Sequence, residues 1–135
     1  MDKLLVDTNI IVDLLSKREH FYQEAQELFT LADEKTIKLY ISSLTFAYTH
    51  YLLSKALNAN EARKTLIKFK LLVKILPLDD RILELALSSD FSDFEDAIQY
   101  YTAIENNLST IITRNKKDFR TSILPVLTAR EYLNR

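Results

Sequence analysis

The chain has 135 residues, 47% apolar and 27% charged, with a net charge of −1. That is the size and chemistry of one globular domain with one core. The absence of Cys excludes disulfides, thiol catalysis and Cys-based zinc sites, and the absence of Gly excludes P-loops, GxGxxG turns and GxSxG elbows. Two histidines, His20 and His50, are too few for a three-His zinc site, and their positions cannot form HExxH.

The chain opens on an apolar run, Lys3 to Val6, which ends at Asp7 and reads as a buried strand. Residues 9–16 and about 21–35 read as helices. In the second, Phe21, Ala25, Leu28, Phe29 and Ala32 recur at helical spacing. Leu39 to Ile41 reads as a second strand. Ser42 or Ser43 caps a helix over about 44–57, and Asn60 caps another over 61–72. Lys64, Lys68, Lys70 and Lys74, with Arg63, read as a solvated face of that last helix and the strand after it. A short strand at 73–76 ends at Pro77, and Asp79 or Asp80 starts a helix to about Leu87.

Ser92 to Glu95 has the S-x-x-E form of a capping box and opens a helix from 93 to about 106. Tyr22, Tyr100 and Tyr101 sit at core-like spacing. Thr110 to Thr113 is the clearest strand by β-branched content. A basic loop follows to Arg120, then a strand over 123–127 and a terminal helix capped by Thr128. Strands alternating with helices predict an α/β sandwich with a mostly parallel sheet of four to five strands. Ligands in such sheets bind beyond the carboxyl ends of the strands, near a switch in strand order. If the strands before Asp7 and before Thr113 are neighbours, Asp7 and Asn115 reach one crevice.

Charge is segregated along the chain. Residues 77–107 carry one basic and eight acidic groups, whereas 108–135 carry six basic and two acidic. An acidic block beside a basic one fits a cation site flanked by anion-attracting surface. Asp7 is costly at the end of a buried strand unless something pairs with it, or unless it serves as a helix cap. Asp93 and Asp96 share a helical face, with Glu95 pointing away from it. Asp96 stands where the helix enters the core. Asn115 and Asp118 lie among Arg114, Lys116, Lys117 and Arg120, a set of oxygen donors and cations suited to Mg²⁺ or Mn²⁺ with a phosphate.

The longest uncharged run, Leu39 to Ser54, is 16 residues and too polar to span a membrane, and the N-terminus does not have the form of a signal peptide. The expected location is cytoplasmic.

Four segments, LLVDTNIIVDLL at 4–15, ISSLTFA at 41–47, DFEDAIQYYTA at 93–103 and IITRNKKDF at 111–119, together resemble the PIN domain, and within it the VapC-type toxins. The resemblance implies a three-layer α/β/α sandwich and a metal-dependent endoribonuclease acting on RNA. It implies Asp7 and Asp96 as metal-binding acids, with Asn115 where the family often has a third acid, and Asp93 and Asp118 as accessory acids. Thr8, Asn9 and Thr113 would then shape the site, with Arg114, Lys116, Lys117 and Arg120 positioning the phosphate backbone. An antitoxin protein and a second copy of the chain are the implied partners. One position departs. Three residues after Thr45, where the family often has Glu, stands Tyr48, a poor ligand for a hard cation. A PIN-like module that binds RNA or a protein without cutting is therefore the alternative expectation. Phosphoryl transfer through an aspartyl intermediate is disfavoured, because Asn9 stands where a second Asp would be needed.

Overall fold

A computed structural model describes residues 1–135. Five strands form one parallel sheet in the order β3-β2-β1-β4-β5: β1 Lys3–Val6, β2 Lys38–Ser42, β3 Lys74–Leu76, β4 Thr110–Ile112 and β5 Val126–Leu127. Seven α-helices connect and cover them: α1 Thr8–Leu15, α2 Tyr22–Asp33, α3 Ser43–Ala56, α4 Ala59–Phe69, α5 Asp80–Leu87, α6 Phe94–Glu105 and α7 Ala129–Leu133.

β1 is central, and Leu4, Leu5 and Val6 are all fully buried. Successive side chains of a strand point to opposite faces, so both faces must be covered. Leu4 and Val6 pack with Leu39 and Ile41 under α1, α2, α3, α4 and α7. Leu5 and Ile111 face the other way, against Tyr100 and Ala103 of α6. α5 packs on α6 through Ile82, Ala86, Ala97 and Ile98. The result is the expected three-layer α/β/α sandwich. No helix is long and apolar enough to cross a membrane.

Several local expectations shift. The cap of α6 is Asp93, whose Oδ1 accepts from Asp96 N at 3.0 Å, and no Ser92–Glu95 capping box forms. Asn58, not Asn60, caps α4 by accepting from Glu61 N at 2.9 Å. That helix stops at Phe69 and tightens into a 3₁₀ turn over Lys70–Leu72. Ser42 caps α3, whereas Ser43 Oγ accepts from Leu78 N and ties the loop after β3 to that helix. The last strand shrinks to Val126–Leu127. Thr128 does form a capping box, with Glu131.

A chain without glycine must still turn at its helix ends. Lys17, Lys35 and Asn107 take left-handed φ of 50°, 62° and 57° just past α1, α2 and α6. In each case two backbone N–H groups fold back onto the last turn, as from Lys35 N to Ala32 O and Thr36 N to Leu31 O. This is the Schellman arrangement, made here at some steric cost.

Candidate active site

β1 pairs with both β2 and β4, so the strand order reverses between β1 and β4. The backbone N–H of Asp7 donates to Ile112 O at 2.9 Å, which holds the ends of these strands together. The two loops therefore open into one crevice, as expected for a switch point.

Asp7 stands at its floor, 7% exposed. It is the N-cap of α1 and also the hub of a neutral hydrogen-bond network. Its Oδ1 accepts from Thr8 N and from Gln99 Nε2, both at 2.7 Å. Its Oδ2 accepts from Thr113 Oγ1 at 2.7 Å and Asn9 Nδ2 at 3.3 Å. None of these donors is a cation. Burial raises the Asp7 pKa, opposed by the hydrogen bonds from Thr113 and Thr8.

α6 delivers the second carboxylate. Asp93, Asp96 and Gln99 succeed one another at intervals of three, which keeps them near one face. Burial pushes the Asp96 carboxyl up to about 7, helped by repulsion from Asp93, Asp7 and Asp118. An acid at a helix N-terminus is normally favoured. The upward shift shows that burial, reinforced by the crowding of negative charge, outweighs the dipole here.

The third wall is the loop after β4. Thr113 Oγ1, besides donating to Asp7, accepts from Asn115 N at 3.0 Å. Asp118 sits on a 3₁₀ turn held by Phe119, which is 1% exposed and packs on Phe91.

The cleft has a volume of about 300 Å³. The structure brings seven of the expected residues to its lining: Asp7, Thr8, Asn9, Asp93, Asp96, Asn115 and Asp118. It adds Gln99, Glu95 and Arg18, together with Tyr48 of α3. Glu95 thus reaches the rim, contrary to the expectation that it points away. Gln99 was legible only as a polar residue three places after Asp96 in an otherwise apolar stretch. Arg18 gave no signal, because the turn after α1 carries it to the cleft.

The basic loop is largely spent elsewhere. Arg114 does not reach the cleft. Its Nε and Nη2 donate to the two carboxylate oxygens of Asp13 at 2.8 and 3.1 Å, and its guanidinium lies 4.0 Å from the Phe21 ring centroid. Lys116 pairs with Glu131 at 3.0 Å. Thr113 is fully buried and touches Asp7 rather than anything in solution. Lys117 and Arg120 line a separate hollow of about 180 Å³, which shares Asp118 with the main cleft. The cation in the main cleft is Arg18.

No three carboxylate or imidazole groups converge tightly enough to make a coordination sphere unaided. The donor set nevertheless suits a hard cation. Asn9 Oδ1 and Gln99 Oε1 are buried with no hydrogen-bond partner, beside a carboxylate that lacks a counter-charge. Mg²⁺ and Mn²⁺ bind oxygen donors and keep several waters, so two carboxylates with amide oxygens nearby fit that chemistry. A second hollow of about 350 Å³ lies around the β2–β3 edge and Leu71, is mainly apolar and contains no carboxylate.

The model of the PIN domain matches residues 3–117 of the chain. The ribonuclease VapC1 of Aquifex aeolicus (strain VF5) is 26% identical over 139 residues, spanning 99% of this chain and 95% of that protein. Among solved structures, a toxin–antitoxin complex from Klebsiella pneumoniae superposes with a TM-score of 0.69 at 28% identity, covering 93% of this chain and 97% of the other. The DNA-bound VapBC structure from Salmonella typhimurium gives 0.72 at 18% identity, covering 96% and 99%, a likeness of fold. With a family match over most of its length and the crevice where such a sheet should carry it, the chain belongs to the PIN domain family.

Proposed function

We propose that the chain is a divalent-metal-dependent endoribonuclease, the toxin of a toxin–antitoxin pair. One observation carries the reading. Asp7 is buried on neutral donors alone, and burial together with repulsion from Asp93, Asp7 and Asp118 drives the Asp96 carboxyl up to about 7. Such a group of acids is repulsive until a cation enters it. The likeness to the Aquifex aeolicus ribonuclease supports the substrate class.

In this reading Asp7 and Asp96 hold Mg²⁺ or Mn²⁺, with Asn115 at the edge. The cation supplies Lewis acidity toward a phosphoryl oxygen and makes water more acidic at neutral pH. Thr113 and Gln99 hold the Asp7 carboxylate in one orientation. Asp93 and Asp118, on opposite walls, accept hydrogen bonds from the attacking water. Arg18 holds a phosphate, and Lys117 and Arg120 attract the strand beside it. The antitoxin would dock on the grooves between α1, α2 and α4, where Leu14, Leu15, Phe29 and Leu72 lie among Lys64 and Lys68. A homodimer is part of the same reading.

Calorimetric titration of Mn²⁺ into the wild type and Asp7→Asn, followed by labelled RNA, tests the site. Metal binding and cleavage, both lost in the variant, are the expected result. An equally active Asp7→Asn protein would overturn the assignment. Tyr48 favours a second reading, a module that retains RNA without cutting it. That reading expects salt-sensitive binding and no metal-dependent cleavage.

A further inference from the structure

We propose that Tyr48 and Tyr51 of α3 form a stacking subsite for an unpaired nucleobase, so that the chain grips a single RNA strand beside the acidic cleft. The proposal rests on the RNA reading above and adds how the strand is held.

These two rings differ from the clustered aromatics of the interior. Phe29–Phe69, Phe91–Tyr101 and Tyr100–Tyr101 meet edge-on, at interplanar angles of 61°, 64° and 78°. Tyr48 and Tyr51 are 42% and 52% exposed and belong to none of the core clusters. Their centroids are 6.1 Å apart and their planes only 14° from parallel. The Lys55 ammonium lies 4.4 Å from the Tyr51 centroid. Along the helix the order is Tyr48, Tyr51, Lys55, a stripe of about 10 Å at the usual rise.

The stripe is continuous with the cleft, because Tyr48 lines the same crevice as Asp7 and Asp96. Lys55 at one end and Arg18 in the cleft supply positive charge for the phosphates flanking a stacked base. Flat exposed aromatics beside cations are how proteins hold single strands without reading sequence. The chemistry also accounts for a phenol where a carboxylate would serve the metal. The ring gives up a metal ligand and gains a face for the substrate.

The test uses a 2′-O-methyl single strand carrying 2-aminopurine, which resists cleavage and reports stacking by quenching. It is titrated in Mn²⁺ against the wild type, Tyr48→Phe, Tyr48→Leu and Tyr48→Ala. Loss of one base stack weakens binding about tenfold. Tyr48→Leu and Tyr48→Ala should show that loss together with lost quenching, and Tyr48→Phe should keep both. On cleavable RNA the same variants should raise KM with kcat nearly unchanged. Melting temperatures should match, since the ring is exposed.

Wild-type affinity and quenching in Tyr48→Ala, or full retention in Tyr48→Leu, overturns the proposal. Unchanged RNA affinity with a dimer-to-monomer shift in sedimentation also overturns it and assigns the face to a second copy. A wild type that binds and quenches without cutting ends the nuclease reading, while the Tyr48→Ala comparison still decides the stack. A wild type that binds no RNA ends both.

Discussion

Helix α1 carries two buried carboxylates, Asp7 at its start and Asp13 near its end, and they are satisfied in opposite ways. Asp13 is fully buried and takes a two-pronged ion pair from Arg114, with Arg18 at 3.8 Å. Asp7 is nearly as buried but is met by a hydroxyl, two amides and a backbone N–H. The helix dipole sharpens the contrast, because it favours an acid at the Asp7 end and disfavours one at the Asp13 end. Asp13 therefore needs its arginines merely to be folded. The difference teaches that burial of a charge does not reveal its role, whereas the charge of its partners does. A carboxylate compensated within the chain is a tie; an uncompensated one among other acids is left open to a cation from outside.

The largest expected effect is on activity. Asp7→Asn should reduce cleavage by more than the roughly 100-fold typical of losing an outer-shell metal partner. It should change the metal-free melting temperature little, because removal of a repelled charge offsets the acceptor that the amide nitrogen no longer gives to Thr113 and Asn9. A clear fall in that temperature would erase the contrast between the two acids.

Asp13→Asn should do the reverse. Breaking a buried pair from one side costs about 3 kcal/mol, read by urea unfolding. It leaves the half-buried Arg114 beside a neutral partner and loosens the loop carrying Asn115 and Asp118. Metal affinity of the folded fraction should change far less than stability. If Asp13→Asn is as stable as the wild type, the ion pair is not a structural tie.

Thr113→Val keeps the shape and removes the hydroxyl that joins Asp7 to Asn115. Mn²⁺ affinity should fall about 10–100-fold by calorimetry. An unchanged affinity would mean that Gln99 and Thr8 suffice to orient the carboxylate.

The smallest effect is a pH slope in the metal-free protein. The folded Asp96 carboxyl titrates at about 7, against 3.8 as its ordinary value. The folded state thus keeps a proton that the unfolded chain releases, and stability falls as pH rises toward 7. The melting temperature should decline between about pH 4 and 7 and level off above, and the decline should be shallower in Asp96→Asn. A steeper decline in the variant would place the repulsion elsewhere.

Asp7 and Asp96 were legible because a carboxylate at the end of an apolar strand, or at the mouth of an apolar helix, is costly in any fold. β1, α6 and β4 were legible for the same local reason, as uninterrupted apolar or periodic runs. The pairing of Arg114 with Asp13 was not legible from the basic loop, because the two are about a hundred residues apart in sequence. The same distance hid Gln99, whose bond to Asp7 joins α6 to the start of α1. The cap of α6 fell on Asp93 rather than Ser92 because both types cap well, and a local pattern does not choose between adjacent candidates.

Periodicity, apolar runs and the positions of the acids determined the α/β class, the alternation of elements and the two loops that carry Asp7 and Asn115. They suffice because backbone geometry and burial act over a few residues at a time. Only the tertiary structure decided which cations are free. Arg114 and Lys116 are bound to acids within the chain, Arg18 stays half-exposed beside Asp13 and turns into the cleft, and Tyr48 lays its ring beside it. A charge takes whichever partner packing brings nearest, and that choice is made across the sheet rather than along the chain.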